Sequence, residues 1–107
     1  MTYQDIFSML QETHLPVAYN FFETPQTLPY IIFTFPTNND FVADNSNYVE
    51  IVRVQIELYT ERKSIPTERI LEGVLKSHNC VYEKSSAWIE SESMNVTYFE
   101  MEILING

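Results

Sequence analysis

Glycine is almost missing from this chain: 107 residues contain only Gly73 and Gly107. With one internal glycine, no GxGxxG, GxxxxGK[ST] or GxSxG segment can be written. The usual phosphate-cradling loops and the nucleophile elbow are therefore excluded. Turns must rely on Asn, Asp, Ser and Pro, which hydrogen-bond to their own backbone or preset φ. Cysteine is as scarce. Cys80 stands alone, cannot close an internal disulfide, and points to folding in a reducing compartment. Basic residues are few, 6 Lys+Arg against 15 Asp+Glu, for a formal charge of -9. Affinity for nucleic acid rests on Lys and Arg displacing condensed counterions, so no specific nucleic-acid binding is expected. Long apolar runs are absent too, and the N-terminal "MTYQDIFSML" has an acid but no basic cluster. Neither a membrane span nor a signal peptide is expected.

What is present reads as a single α+β domain over residues 1–107, large enough to bury roughly two-thirds of its unfolded surface. Thr2 and Asp5 have the spacing of a capping box, and Tyr3, Ile6, Phe7 and Leu10 recur at helical spacing behind them. His14 and Pro16 end this helix, and "VAYNFF" from Val17 to Phe22 reads as a strand. "LPYIIFTFP", Leu28 to Pro36, is nearly continuously apolar. Tyr30, Ile32 and Thr34 fall on one face of that strand, and Ile31, Phe33 and Phe35 on the other. Helices of the same domain can cover one face, and the second then calls for further protein, such as a partner subunit. "PTNNDFVADNSN", Pro36 to Asn47, reads as a long polar loop with Phe41 and Val42 at its tip.

The clearest strand is "YVEIVRVQIELYT", where Val52, Val54, Ile56 and Leu58 alternate with Arg53, Gln55, Glu57 and Tyr59. Pro66 then suits the first turn of a second helix whose apolar stripe is Ile70, Leu71, Val74 and Leu75, with His78 and Asn79 at its C-terminus. "CVYEKSSAWIE" is a weaker strand, and "VTYFEMEILI" places Phe99, Met101, Ile103 and Ile105 opposite Tyr98, Glu100, Glu102 and Leu104. The order α-β-β-β-α-β-β predicts a mostly antiparallel sheet of about five strands with two helices packed on one face.

Chemistry is thin. His14 and His78 have no acid and nucleophile beside them and read as helix-end histidines. Cys80 reads as a buried, inert thiol. Glu100 and Glu102 project from one strand face about 7 Å apart. That spacing could suit paired carboxylates, although alternating acids on an outer face are far commoner. Glu90 and Glu92 nearby could help hold a hard cation, but no loop has EF-hand spacing. "NVT" at Asn95 matches a glycosylation acceptor by chance, inside a strand. The seven Tyr and seven Phe lack a basic groove, so packing explains them better than base stacking. No catalytic residue, cofactor or metal site is expected.

The "LPY" of Leu28, Pro29 and Tyr30, together with "RVQIELYT" from Arg53 to Thr60 and the succession of elements around them, resembles the small tail terminator or tail completion proteins of long-tailed phages and prophages. The resemblance covers nearly the whole chain. It implies a structural virion protein, not an enzyme, assembled in the bacterial host cytoplasm. Such a protein forms a ring, commonly hexameric in the virion though it can be a monomer when alone, that caps the tail tube and joins it to the head. It also implies tail-tube and head-completion proteins as partners, no membrane, and DNA only as passing cargo. On this reading Phe33, Phe35, Asn39, Asp40, Phe41, Val42 and Asp44 are interface candidates, and Glu57, Glu100 and Glu102 form an acidic lumen or surface face. Other readings are a head-completion or connector protein, an acidic DNA mimic that inhibits a DNA-binding enzyme, a small enzyme, and a ligand-binding regulatory domain.

Overall fold

The computed structural model describes residues 2–36 and 49–106. Helix α1 (Tyr3–Gln11) is followed by strands β1 (Val17–Tyr19), β2 (Tyr30–Thr34) and β3 (Val49–Thr60). Helix α2 (Ile65–Ser77), strand β4 (Glu83–Ile89), a short 3-10 turn (Glu90–Glu92) and strand β5 (Met94–Asn106) complete the chain. The sheet has five strands in the order β1-β2-β3-β5-β4. Pairing is antiparallel except for β1 with β2, which is parallel.

The start of α1 follows the sequence pattern. Thr2 Oγ1 accepts from the Asp5 backbone N–H at 3.1 Å, and the Thr2 N–H donates to Asp5 Oδ2 at 2.8 Å. These bonds satisfy donors that a helix leaves orphaned and hold the Asp5 carboxyl below its usual range. At the far end, Thr13 Oγ1 donates to the Leu10 carbonyl at 2.8 Å, and His14 turns the chain with a left-handed φ of 64°. The first strand is shorter than the expected Val17 to Phe22. Asn20 takes a left-handed φ of 67° and bends the chain out of the sheet after Tyr19, a conformation Asn tolerates better than most residues.

Both helices pack on one face of the sheet. Register sets Phe33 opposite Ile56, Ile56 opposite Phe99, Val54 opposite Met101 and Val52 opposite Ile103. Ile6, Met9 and Leu10 of α1 and Leu71 and Leu75 of α2 close over this layer. Each fully buried apolar side chain there contributes about 1.5–3 kcal/mol. The stripe of α2 differs from expectation: Leu71 and Leu75 are buried, but Ile70 is 48% exposed and Glu68 is fully buried in its stead. Helical spacing explains this, because Glu68, Leu71 and Leu75 lie three and then four residues apart on one side of the helix. Ser64 caps α2 by accepting from the Thr67 N–H at 3.3 Å, Pro66 sits in its first turn, and His78 is the C-cap.

Candidate functional site

The sheet face opposite the helices is assembled from the alternate residues of the same strands. At one end Tyr30 stacks on Tyr59, ring centroids 5.1 Å apart, and Phe22 meets Tyr30 edge-on at 5.3 Å. The segment after β1 therefore covers part of the face that "LPYIIFTFP" leaves to outside protein, and Tyr30, Ile32 and Thr34 are half-buried. At the other end Ile51 and Leu104 are paired in register and about half exposed, at 50% and 56%.

Between these ends lie the acids that sequence alternation placed on one face. Gln55 is opposite Glu100, Arg53 opposite Glu102, and Glu57 opposite Tyr98, so Glu57, Glu100 and Glu102 lie on one sheet face, with Glu57 and Glu102 at separate points along it. They are not equivalent. Glu57 accepts from Tyr59 Oη at 2.7 Å and from Gln55 Nε2 at 3.1 Å, so both its oxygens are engaged. Burial, then the bond to Glu57, push the Tyr59 hydroxyl well above the ordinary tyrosine range. Glu102 has only a loose ion pair, 3.7 Å from Arg53. Glu100 stands directly opposite Glu83 of β4, a like-charge pairing that costs stability unless solvent or a counter-charge relieves it.

The other interface candidates are placed differently. Phe33 is 3% exposed and belongs to the helix-side core, so it offers no surface for a neighbour. Its side chain alternates inward, and the uncovered face of β2 is the Tyr30, Ile32, Thr34 face. Phe35 is half-buried in an aromatic cluster at the edge, edge-on to Tyr3 at 4.9 Å and 5.6 Å from Tyr19. Asn39, Asp40, Phe41, Val42 and Asp44 lie outside the described residues, as does nearly all of the loop expected from Pro36 to Asn47.

One polar cluster has no counterpart among the residues that the sequence pattern singles out. Glu68 is fully buried beneath β4 and β5. Its Oε1 lies 2.8 Å from Lys84 Nζ and its Oε2 2.8 Å from Lys63 Nζ, and Oε2 also accepts from Thr97 Oγ1 at 3.2 Å. Lys84 reaches on to Glu72 at 3.2 Å, which also accepts from Tyr82 Oη at 3.1 Å. Burial by itself would raise the Glu68 carboxyl, but bonds from and charges on Lys63 and Lys84 outweigh it and leave it below its usual range. The cluster pins α2 to β4 and β5. A signal for it exists in the sequence, since Glu68 shares the inward side of α2 with Leu71.

His78 pairs with Glu12 at 3.0 Å and ties the two helix ends together. Cys80 Sγ lies 3.9 Å from Met9 Sδ, and burial pushes its thiol up. Among the described residues, no group of three or more His, Cys, Asp or Glu is arranged to hold a metal ion. No helix among them is long and apolar enough to cross a membrane.

No protein-family model matches this chain. No curated protein sequence matches it either. Among solved structures, it is similar to a chain of the virion of a native gene transfer agent (GTA) particle, with a TM-score of 0.60 and 10% identity over 92% of this chain and 84% of that one. At that identity, what the two chains share is the fold alone.

Proposed function

We propose that this chain is a structural component of a phage-like particle, a tail terminator or tail-completion protein that forms a ring on the end of the tail tube and joins it to the head. One observation carries the reading: 92% of the chain follows the fold of a protein from a gene transfer agent virion. The resemblance of Leu28 to Tyr30 and Arg53 to Thr60 to tail terminators supplies the finer role. The charge is compatible with it. A chain of net charge -9 has few cations with which to hold phosphates, so DNA can pass through a lumen formed by such chains without sticking.

In this role the protein has no catalytic residues and needs no cofactor. Its partners are copies of itself, the tail-tube protein and a head-completion protein, brought together in the cytoplasm of a bacterial host. The acidic DNA-mimic reading is weaker because Glu57 is already occupied by Tyr59 and Gln55. Purifying the particles made by the genome that encodes this chain, and sequencing their proteins by mass spectrometry, tests the proposal. Recovery of the chain at a fixed low copy number, together with tube and head proteins, supports it. Intact tailed particles that lack the chain refute it.

A further inference from the structure

Strand β5 has two unequal edges. Along one, β3 pairs with it from Asn95 opposite Thr60 to Asn106 opposite Val49. Along the other, β4 pairs only from Met94 to Glu100. Among the described residues no strand pairs with this edge from Met101 to Asn106. About 20 Å of this edge thus has no strand partner among the described residues.

The early end of β4 has a physical cause. Tyr82 packs edge-on against Phe99 at 5.4 Å, and its hydroxyl donates to Glu72 of α2 at 3.1 Å. The chain arriving from α2 is therefore held on the helix side until Glu83, and β4 cannot extend along the rest of β5. The gap is a notch of about 450 Å³, walled by Val81, Tyr82 and Glu83 on one side and by Glu100, Met101 and Glu102 on the other. Natural sheet edges are protected by Pro, Lys, a bulge or a cover. The segment here reads "MEILIN", with no Pro, Lys or Gly.

We propose that the β5 edge from Met101 to Asn106 docks an extended segment of a different protein, one that carries Lys or Arg at alternate positions. The open backbone selects a strand, because a row of alternating N–H and C=O groups is satisfied by another strand and by little else. The charge selects its side chains. Glu83, Glu100 and Glu102 flank the notch, and the cation beside them, Arg53, is 3.7 Å from Glu102 with both side chains about half exposed, too loose to neutralise it. A second copy is disfavoured as the occupant, since it brings another net charge of -9 and sets acid against acid. Alternate side chains on the other face of the incoming strand meet Val81, which is 87% exposed, and Tyr82. The inference concerns the single chain and holds whether or not that chain caps a tail.

The test is an NMR titration of the isolated chain with a capped ten-residue peptide of alternating Lys and Val, read at the backbone amides. Shift changes and slowed hydrogen exchange are expected at residues 101–106. Binding should weaken at least tenfold when Glu replaces Lys in the peptide, or when alternate peptide nitrogens are methylated. A Glu100→Lys/Glu102→Lys variant should reverse the peptide preference. If that variant does not fold, the comparison of the two peptides on the natural chain stands in its place. No change at 101–106 at millimolar peptide, equal binding of the methylated peptide, or self-association through this edge overturns the proposal.

Discussion

The sharpest test of the packing account is the buried carboxylate of Glu68. Replacing Lys84 by Met removes the cation 2.8 Å from Glu68 Oε1 and leaves that oxygen buried, with no other polar partner among the described residues. Glu68 keeps Lys63 at 2.8 Å from its Oε2, so the carboxylate stays paired and the cost is that of one unsatisfied buried oxygen, about 1–3 kcal/mol. For a chain of this size that corresponds to roughly 4–12 °C in Tm. Removing the whole cluster is a different perturbation. In Lys63→Met/Lys84→Met/Glu68→Leu no charge is left buried, and Thr97 loses one acceptor worth about 1 kcal/mol while keeping its contacts with Ser86 and Asn95. The triple variant should therefore be more stable than Lys84→Met alone. Trp88, the single tryptophan, lies on β4, the strand that carries Lys84, so urea denaturation followed by its fluorescence reports the transition. A Lys84→Met protein within about 0.5 kcal/mol of the parent, below the cost of an unsatisfied buried oxygen, would refute the reasoning. So would a triple variant no better than the single one. The acid limb gives a second reading. Because the folded-state pKa of Glu68 is depressed below its ordinary 4.5, the stability it contributes is present above that value and is lost as pH falls through the folded pKa. The triple variant should lack this portion of the acid sensitivity.

Other outcomes follow from the same structure. Phe33→Ala should cost about 3–5 kcal/mol by emptying a core site, and Phe33→Asp should abolish folding; a soluble, unchanged Phe33→Asp protein would place Phe33 outside the core. Thr2→Ala should lower stability by about 1 kcal/mol through the lost cap, visible as a few degrees in a thermal melt. In an alkaline ultraviolet titration, Tyr30, Tyr59 and Tyr82, all raised chiefly by burial, should ionise above the ordinary tyrosine range. Stability they contribute should persist at neutral pH and fall as pH rises above their ordinary value of 10.0. Cys80 should be alkylated at pH 8 more slowly than a free thiol, because burial raises it.

Much of this fold is legible in the sequence where one face of an element is buried. β3 and β5 alternate so cleanly that their core and outer residues follow from the alternation alone, and Thr2 with Asp5 marks the first helix. What the pattern misses has specific causes. Ile70 looks inward only if every apolar residue in α2 is counted as core. The structure turns it out because a charged residue, Glu68, takes the inward position and brings its own cations from β4 and from the segment after β3. The parallel pairing of β1 is invisible in a three-residue strand, because hydrophobic alternation is the same for either direction. The candidate acidic face is readable from periodicity. The stretch of β5 without a strand partner among the described residues is not, because it depends on Tyr82 being pulled toward α2. Phe33 lies in the core and not at an interface because a doubly apolar strand does not by itself say which face the domain's own helices take.

The central claim, a ring-forming particle component, is tested most directly by native mass. Native mass spectrometry across a concentration series, on the chain alone and then with the tail-tube protein encoded nearby, should show a closed ring of fixed copy number in at least one condition, hexameric if the terminator resemblance holds. A chain that stays monomeric at every concentration, and ignores the tube protein, would contradict the account.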